Sequence, residues 1–227
     1  MSTGLLLSFL VPLVFLGLLA IWTRSSRGAG VRLRYGILAF AAGAASATVA
    51  YFVFEALGLL PSYPALFEGG SDDDLVRAVF ALWVVGPVEE ACKLGAVVLS
   101  VWRIRGAVPP GRAVVFTSAA ALGFAATENW YSLWTLGYPD LGRIVLLPFV
   151  HALFASLCGW GLDRSRQENG RSWPVYLGLL LAAIYHGLYD FAEFRAGPWH
   201  YATFPLVVLL WLFLTRMVRK GVSIRKS

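Results

Sequence analysis

Charge is scarce in this chain of 227 residues. Asp, Glu, Lys and Arg make up 14% of it against 58% apolar types, and the mean hydropathy is +0.68. A water-soluble domain of this length needs far more polar surface, so the scarcity excludes that class and points to an integral membrane protein. Cysteine is scarce too. Cys92 and Cys158 form no CxxC pair and both fall in apolar runs, which excludes a thiolate metal knuckle and leaves two buried, reduced thiols. Also missing are an HExxH motif, the period-two alternation of a membrane β-barrel, any repeat of fixed period, and any linker that would divide the chain. Residues 1–227 therefore read as one integral-membrane domain.

Long apolar runs are what is present. Spans of about 20 residues can be drawn at roughly 4–22, 33–57, 75–102, 112–136, 142–162, 173–193 and 200–218. The expected fold class is all-α, a polytopic membrane helical bundle of about seven transmembrane helices. The placement of the +6 net charge orients it. Arg24, Arg27, Arg32 and Arg34, then Arg103, Arg105 and Arg112, then Arg164, Arg166 and Arg171, and finally Arg216, Arg219, Lys220, Arg225 and Lys226 all fall on one side. The other side holds Arg77, Arg143 and Arg195 beside Glu68, Asp72, Asp73, Asp74, Asp140 and Glu193. The positive-inside rule puts the N-terminus outside and the C-terminus in the cytoplasm. Anionic lipid of the inner leaflet accounts for the basic tail, and no nucleic acid is needed. The first run lacks a positive n-region and reads as an anchor, not a cleaved signal. The segment 61–74 reads as a solvated outer cap, and Trp130, Tyr131, Trp134 and Tyr138 as an interfacial aromatic belt.

Ionisable groups at membrane depth cost roughly 2.5–3.5 kcal/mol each on insertion scales. Here they are Glu89, Glu90 and Lys93 in the third span, Glu128 in the fourth, His151 in the fifth, and His186 and Asp190 in the sixth. Their confinement to four consecutive helices predicts one shared site, in a core spanning about 75–193. Small residues share their faces: Thr117, Ala121 and Ala125 with Glu128, Ala155 and Gly159 with His151, Gly178 and Ala182 with His186. That pattern lets helices approach closely in lipid and turns the polar groups inward. Glu89 and Glu90 lie four and three residues before Lys93, so the lysine can neutralise one and leave the other as a general base. Pro87 predicts a kink ahead of the pair. Glu128, His151 and His186 have the ligand chemistry of a catalytic zinc site; Asp190 would orient His186, and Asn129 would donate to a developing oxyanion. His200 receives no role.

At these residues the chain resembles a known family. Glu89-Glu90-Ala-Cys-Lys93 resembles an EExxK motif, Phe124-Ala-Ala-Thr-Glu128-Asn129 an FxxxEN motif, and His151 and His186-Gly-Leu-Tyr-Asp190 two histidine-bearing helices. In this order they resemble the PrsW-type intramembrane proteases, distant relatives of the CAAX prenyl endopeptidases with their EExxxR and FxxxH motifs. Relative to the latter, Glu128 stands for a histidine and Lys93 comes one residue earlier than the arginine. The resemblance implies an intramembrane endopeptidase in a bacterial cell membrane. Its substrate would be a transmembrane protein, such as an anti-sigma factor, and water would be activated by Glu89 or Glu90 with zinc as cofactor. A proton-coupled transporter or channel, or an inactive membrane scaffold, are the alternative readings.

Overall fold

The computed structural model describes residues 2–25, 32–56, 74–104, 108, 112–136, 141–194 and 201–223. The segment 61–73, Tyr138, Asp140, Arg195, His200 and the basic residues Arg27, Arg105, Arg225 and Lys226 lie outside them. Among the described residues there is no strand. The helices are α1 (Ser2–Ser25), α2 (Leu33–Ala56), α3 (74–102), α4 (Ala113–Leu136), α5 (Leu141–Gln167), α6 (Trp173–Phe194) and α7 (Thr203–Ser223). Each coincides with one apolar run of the sequence.

Helix α4 is the axle. Every residue from Ala113 to Thr127 is buried, because α1, α2, α3 and α5 pack around it. Its composition permits this: alanines and glycine let backbones meet. A Cβ on Gly43 of α2 would run into the backbone of Ala120, and one on Gly123 into Phe40 and Ala44, so α2 and α4 cross backbone to backbone. The start of α4 is held by Asp163 of α5, whose Oδ2 accepts the Ala113 N–H at 2.9 Å. Nearby, Arg166 stacks over the Trp102 ring at 3.6 Å and donates to the Val108 carbonyl. Helices α1 and α7 pack on the outside of α5, through Phe15 on Phe149 and Phe149 on Trp211.

Outward faces carry large apolar side chains: Leu6, Phe52, Leu75, Trp83, Leu99 and Trp134 are each more than half exposed. Exposed apolar side chains of this size on several helices mark a surface that something other than water covers. Residues Leu33–Ala56, Leu141–Gln167 and Trp173–Glu193 are long and apolar enough to cross a membrane. Of the aromatic belt residues, Trp130 and Trp134 are exposed, whereas Tyr131 is half-buried, its hydroxyl 3.1 Å from that of Thr48.

Helix α3 is not a plain kinked helix. A π-turn segment, Ala81–Val85, precedes the α-helical stretch Gly86–Val97, and a second, Val98–Trp102, ends it. Pro87, at the start of the stretch, lacks the N–H that an uninterrupted helix would need, and the wider turn absorbs the mismatch. Gly86 then meets α6: a Cβ there would lie 2.5 Å from the Ala183 carbonyl oxygen and 3.1 Å from the Gly187 nitrogen. The glycine before Pro87 thus sets how closely the Glu89–Glu90 helix approaches the His186 helix.

Candidate active site

Four helices, α3 to α6, enclose a buried polar cluster at the middle of the bundle. Its centre is Lys93, 1% exposed and seated 4.3 Å above the Phe124 ring. Its Nζ donates to Glu90 Oε1 at 2.8 Å and Glu89 Oε2 at 3.2 Å, and lies 2.6 Å from His151 Nδ1. An ammonium has three donors and no acceptor, so these three contacts use it completely. The lysine therefore bridges both glutamates, where the sequence suggested it would pair with one. The i, i+3 and i, i+4 spacings permit both at once.

His186 stands on the other side of the glutamates. Its Nδ1 is 2.9 Å from Glu90 Oε1, and its Nε2 is 3.7 Å from Glu89 Oε2 and 3.3 Å from Asp190 Oδ2. Asp190 is one helical turn on, where it can orient the ring. The two imidazoles meet edge to face, 4.9 Å between centroids, with Phe124 stacked on His151 and Phe154 on His186. The aromatic faces keep the rings from turning and shield the cluster from lipid.

Glu128 closes the cluster toward one end. Its Oε2 lies 3.2 Å from His151 Nε2, and its Oε1 accepts from Arg143 Nη2 at 2.5 Å. Arg143 is the member that the sequence reading missed, having been counted only among outer-side charges. A signal was there: Arg143, Leu147 and His151 recur every four residues and share a face of α5. Asn129, 2% exposed, donates through Nδ2 to the Ile144 carbonyl at 3.5 Å. That carbonyl is the one Pro148 leaves without its helical partner, since proline has no N–H to offer residue i−4. Asn129 thus spends one donor on bracing α5 and keeps another.

All eight candidate residues are therefore joined or adjacent. The most exposed are Glu128, with 21% of its side chain accessible, and Asp190, with 15%. Glu89, Glu90, Lys93, His151 and His186 are each 3% exposed or less.

The donor set suits a divalent metal. Glu89, His151 and His186 each offer one ligand atom, all within 4.8 Å of one another and all buried. Two imidazoles and a carboxylate form a common catalytic zinc set, whose ligand atoms stand about 3.3–3.5 Å apart when bonded at roughly 2.0–2.2 Å. Glu89 groups with the two histidines in this geometry, while Glu128, the carboxylate the sequence suggested, has one oxygen on Arg143 and the other 3.2 Å from His151 Nε2. The charges agree. Among the described residues, Glu89, Glu90, Glu128 and Asp190 are paired with Lys93 and Arg143 as permanent cations, a formal excess of two negative charges. Lys93 shares the same acceptors, and Glu90 Oε2 is buried with no hydrogen-bond partner among the described residues.

Comparison with known proteins agrees with the motifs. A family model described as PrsW family intramembrane metalloprotease matches residues 32–216. A protein named Protease PrsW from Shouchella clausii (strain KSM-K16) is 30% identical over 117 residues, which cover 49% of this chain and 54% of that protein. Another of that name, from Bacillus subtilis (strain 168), is 32% identical over 114 residues, covering 49% of this chain and 52% of its own length. The chain spans about half the length of the curated relatives it matches. No solved structure matches it.

Proposed function

The chain belongs to the PrsW family of intramembrane metalloproteases, and from that premise we propose that it is an intramembrane endopeptidase. It would cleave a membrane-spanning protein with water activated in the α3–α6 cluster. Seven spans, with the N-terminus outside and the C-terminus cytoplasmic, follow from the seven apolar runs and the charge bias. A bacterial cell membrane is its expected location, given the bacterial relatives. A single-span regulatory protein such as an anti-sigma factor is the substrate that the family resemblance implies.

One observation carries the division of labour: Glu90 Oε1 is taken by Lys93 and His186 while Glu90 Oε2 is unclaimed. Glu89, His151 and His186 would hold the metal, which this donor set suggests is zinc, and Glu90 would be the base. A divalent ion held there would supply a Lewis acid for the scissile carbonyl and acidify water. The remaining steps belong to the chain. Glu90 Oε2 takes a proton from water as the water oxygen bonds to the carbonyl carbon. The same proton passes to the departing amide nitrogen as the C–N bond breaks, which restores the carboxylate. Lys93 and the Nδ1–H of His186 hold Glu90 in place, which leaves the His186 Nε2 lone pair for the metal, and Asn129 has one N–H left for the carbonyl oxygen. Backbone in lipid is hydrogen-bonded to itself, so a substrate helix must unwind locally before its carbonyl can enter.

The test is cleavage of single-span substrates in proteoliposomes, with mass spectrometry locating the new N-terminus and measuring metal per chain. Glu90→Gln should keep the metal and lose cleavage; Glu89→Gln and His186→Ala should lose both. Wild type and Glu90→Gln giving identical products would refute the assignment. The unbroken run of contacts from Arg143 to Asp190 also favours a second reading, a proton relay. Proton flux into the liposomes without cleavage would establish that one.

A further inference from the structure

We propose that Arg143 is a positioning residue. Acting through Glu128, it anchors the Nε2–H end of the His151 ring and so keeps the Nδ1 lone pair, which Lys93 selects, aimed at the Glu89–Glu90–Lys93 cluster. The inference rests on His151 belonging to the catalytic cluster, and no family motif quoted above includes Arg143.

Geometry on both sides of the ring selects the same tautomer. On one side Lys93 Nζ lies 2.6 Å from Nδ1. An ammonium only donates, so Nδ1 must accept and carry no proton. On the other side Nε2 lies 3.2 Å from Glu128 Oε2, an oxygen that is buried and has no aligned hydrogen bond of its own. A carboxylate only accepts, so the proton belongs on Nε2, and a slight turn of the Glu128 carboxylate brings it onto the N–H line. The opposite tautomer would set a lone pair against a carboxylate and an N–H against an ammonium.

What holds Glu128 there is Arg143. Arg143 and His151 are two turns apart on one face of α5, about 12 Å along the axis. The Glu128 side chain reaches from α4 into the gap, with one oxygen on each partner. Pro148 removes a backbone hydrogen bond in that gap, and the long Asn129 contact reaches the freed Ile144 carbonyl. Without the guanidinium, Glu128 keeps only its approach to His151, and the Nε2–H loses a firmly held acceptor. A lone pair so fixed is what any cation among Glu89, His151 and His186 would use, whether Lys93 or a metal. A carboxylate behind a ligating imidazole commonly plays this part.

The chain has three histidines, so the ring-nitrogen spectrum of 15N-histidine-labelled protein in nanodiscs is simple, and His151→Gln assigns the His151 signals. Wild type should show a protonated Nε2 and an unprotonated, accepting Nδ1. Arg143→Gln should leave Nδ1 accepting from Lys93 but take the carboxylate acceptor from Nε2–H, shifting and broadening that signal, and lower kcat on the order of ten- to a hundredfold with KM little changed; Arg143→Lys should retain much of the wild-type signal and rate. The charge swap Arg143→Glu with Glu128→Arg separates positioning from a structural staple. It restores an ion pair, and hence the melting temperature, yet an arginine at 128 cannot accept from Nε2–H, so neither the Nε2–H signal nor kcat should recover. The proposal is overturned if wild-type His151 carries its proton on Nδ1 or is doubly protonated. It is equally overturned if Arg143→Gln leaves the ring signals unchanged, or if the swap restores them. The spectrum needs no substrate, so it stays decisive even if the protease reading fails.

Discussion

Replacing Gly86 by alanine adds one methyl group where α3 crosses α6. The new Cβ would sit 2.5 Å from the Ala183 carbonyl oxygen, about 0.9 Å short of the 3.4 Å at which ordinary contact begins. Backbone cannot rotate out of the way as a side chain can, so the helices must part by about that distance. Glu90 and His186 face each other across this crossing at 2.9 Å. Parting them by about 0.9 Å takes the contact to roughly 3.8 Å, beyond hydrogen-bond range. A misplacement of about 1 Å in a catalytic constellation costs on the order of a hundredfold in rate. Overpacking of this kind costs about 1–3 kcal/mol in stability, offset by up to about 1 kcal/mol from alanine's better helix propensity. Gly95 is the control, on the same helical stretch two residues past Lys93, with nothing within 4 Å of a Cβ built there. Cleavage rate and detergent melting temperature would be measured for both variants. Gly86→Ala should fall by one to two orders of magnitude in kcat and melt lower; Gly95→Ala should match wild type or melt slightly higher. If Gly86→Ala cleaves as fast as Gly95→Ala, the close crossing does not set the site's geometry and the reasoning fails.

Lys93→Met strips Glu89 and Glu90 of their shared cation, and breaking a buried pair typically costs about 3–5 kcal/mol. The metal-free variant should therefore melt far below wild type and regain stability when zinc is added; equal melting without metal would contradict the bridging role. Asp163→Ala removes the acceptor for the Ala113 N–H at the start of α4 and should cost about 1 kcal/mol, visible as a lower melting temperature with kcat preserved. For topology, a cysteine placed at Glu168 in a Cys92→Ser, Cys158→Ser background should react with a membrane-impermeant thiol reagent in inverted vesicles and resist it in intact cells. The reverse pattern would invert the orientation inferred from the arginines.

The bundle was legible because lipid imposes a simple rule. Backbone in hydrocarbon must satisfy itself, so each apolar run becomes a helix, and each predicted run contains one. The candidate site was legible for the opposite reason. Buried charge is costly enough to be rare, so Glu89, Glu90, Lys93, Glu128, His151, His186 and Asp190 stood out against an apolar background. Arg143 did not, because an arginine near a helix end has an ordinary explanation in snorkelling or loop charge, and only its contact with Glu128 distinguishes it.

The amino-acid sequence by itself determined which residues are helical, which helices carry the polar groups, and on which face of each helix those groups lie. These are local consequences of hydropathy and a 3.6-residue period. Partnership was decided only by tertiary structure. Spacing allowed Lys93 either glutamate, and the crossing at Gly86 placed the pair so that the lysine takes both and reaches His151 as well. Residue type allowed Glu128 or Glu89 beside the histidines. Packing gives one Glu128 oxygen to Arg143 and holds the other 3.2 Å from His151, and it also brings Glu89 within 4.8 Å of both histidines. Contacts between helices depend on rotation and separation of about an ångström, set by glycine, alanine and proline backbones along whole crossings, and no single motif encodes them.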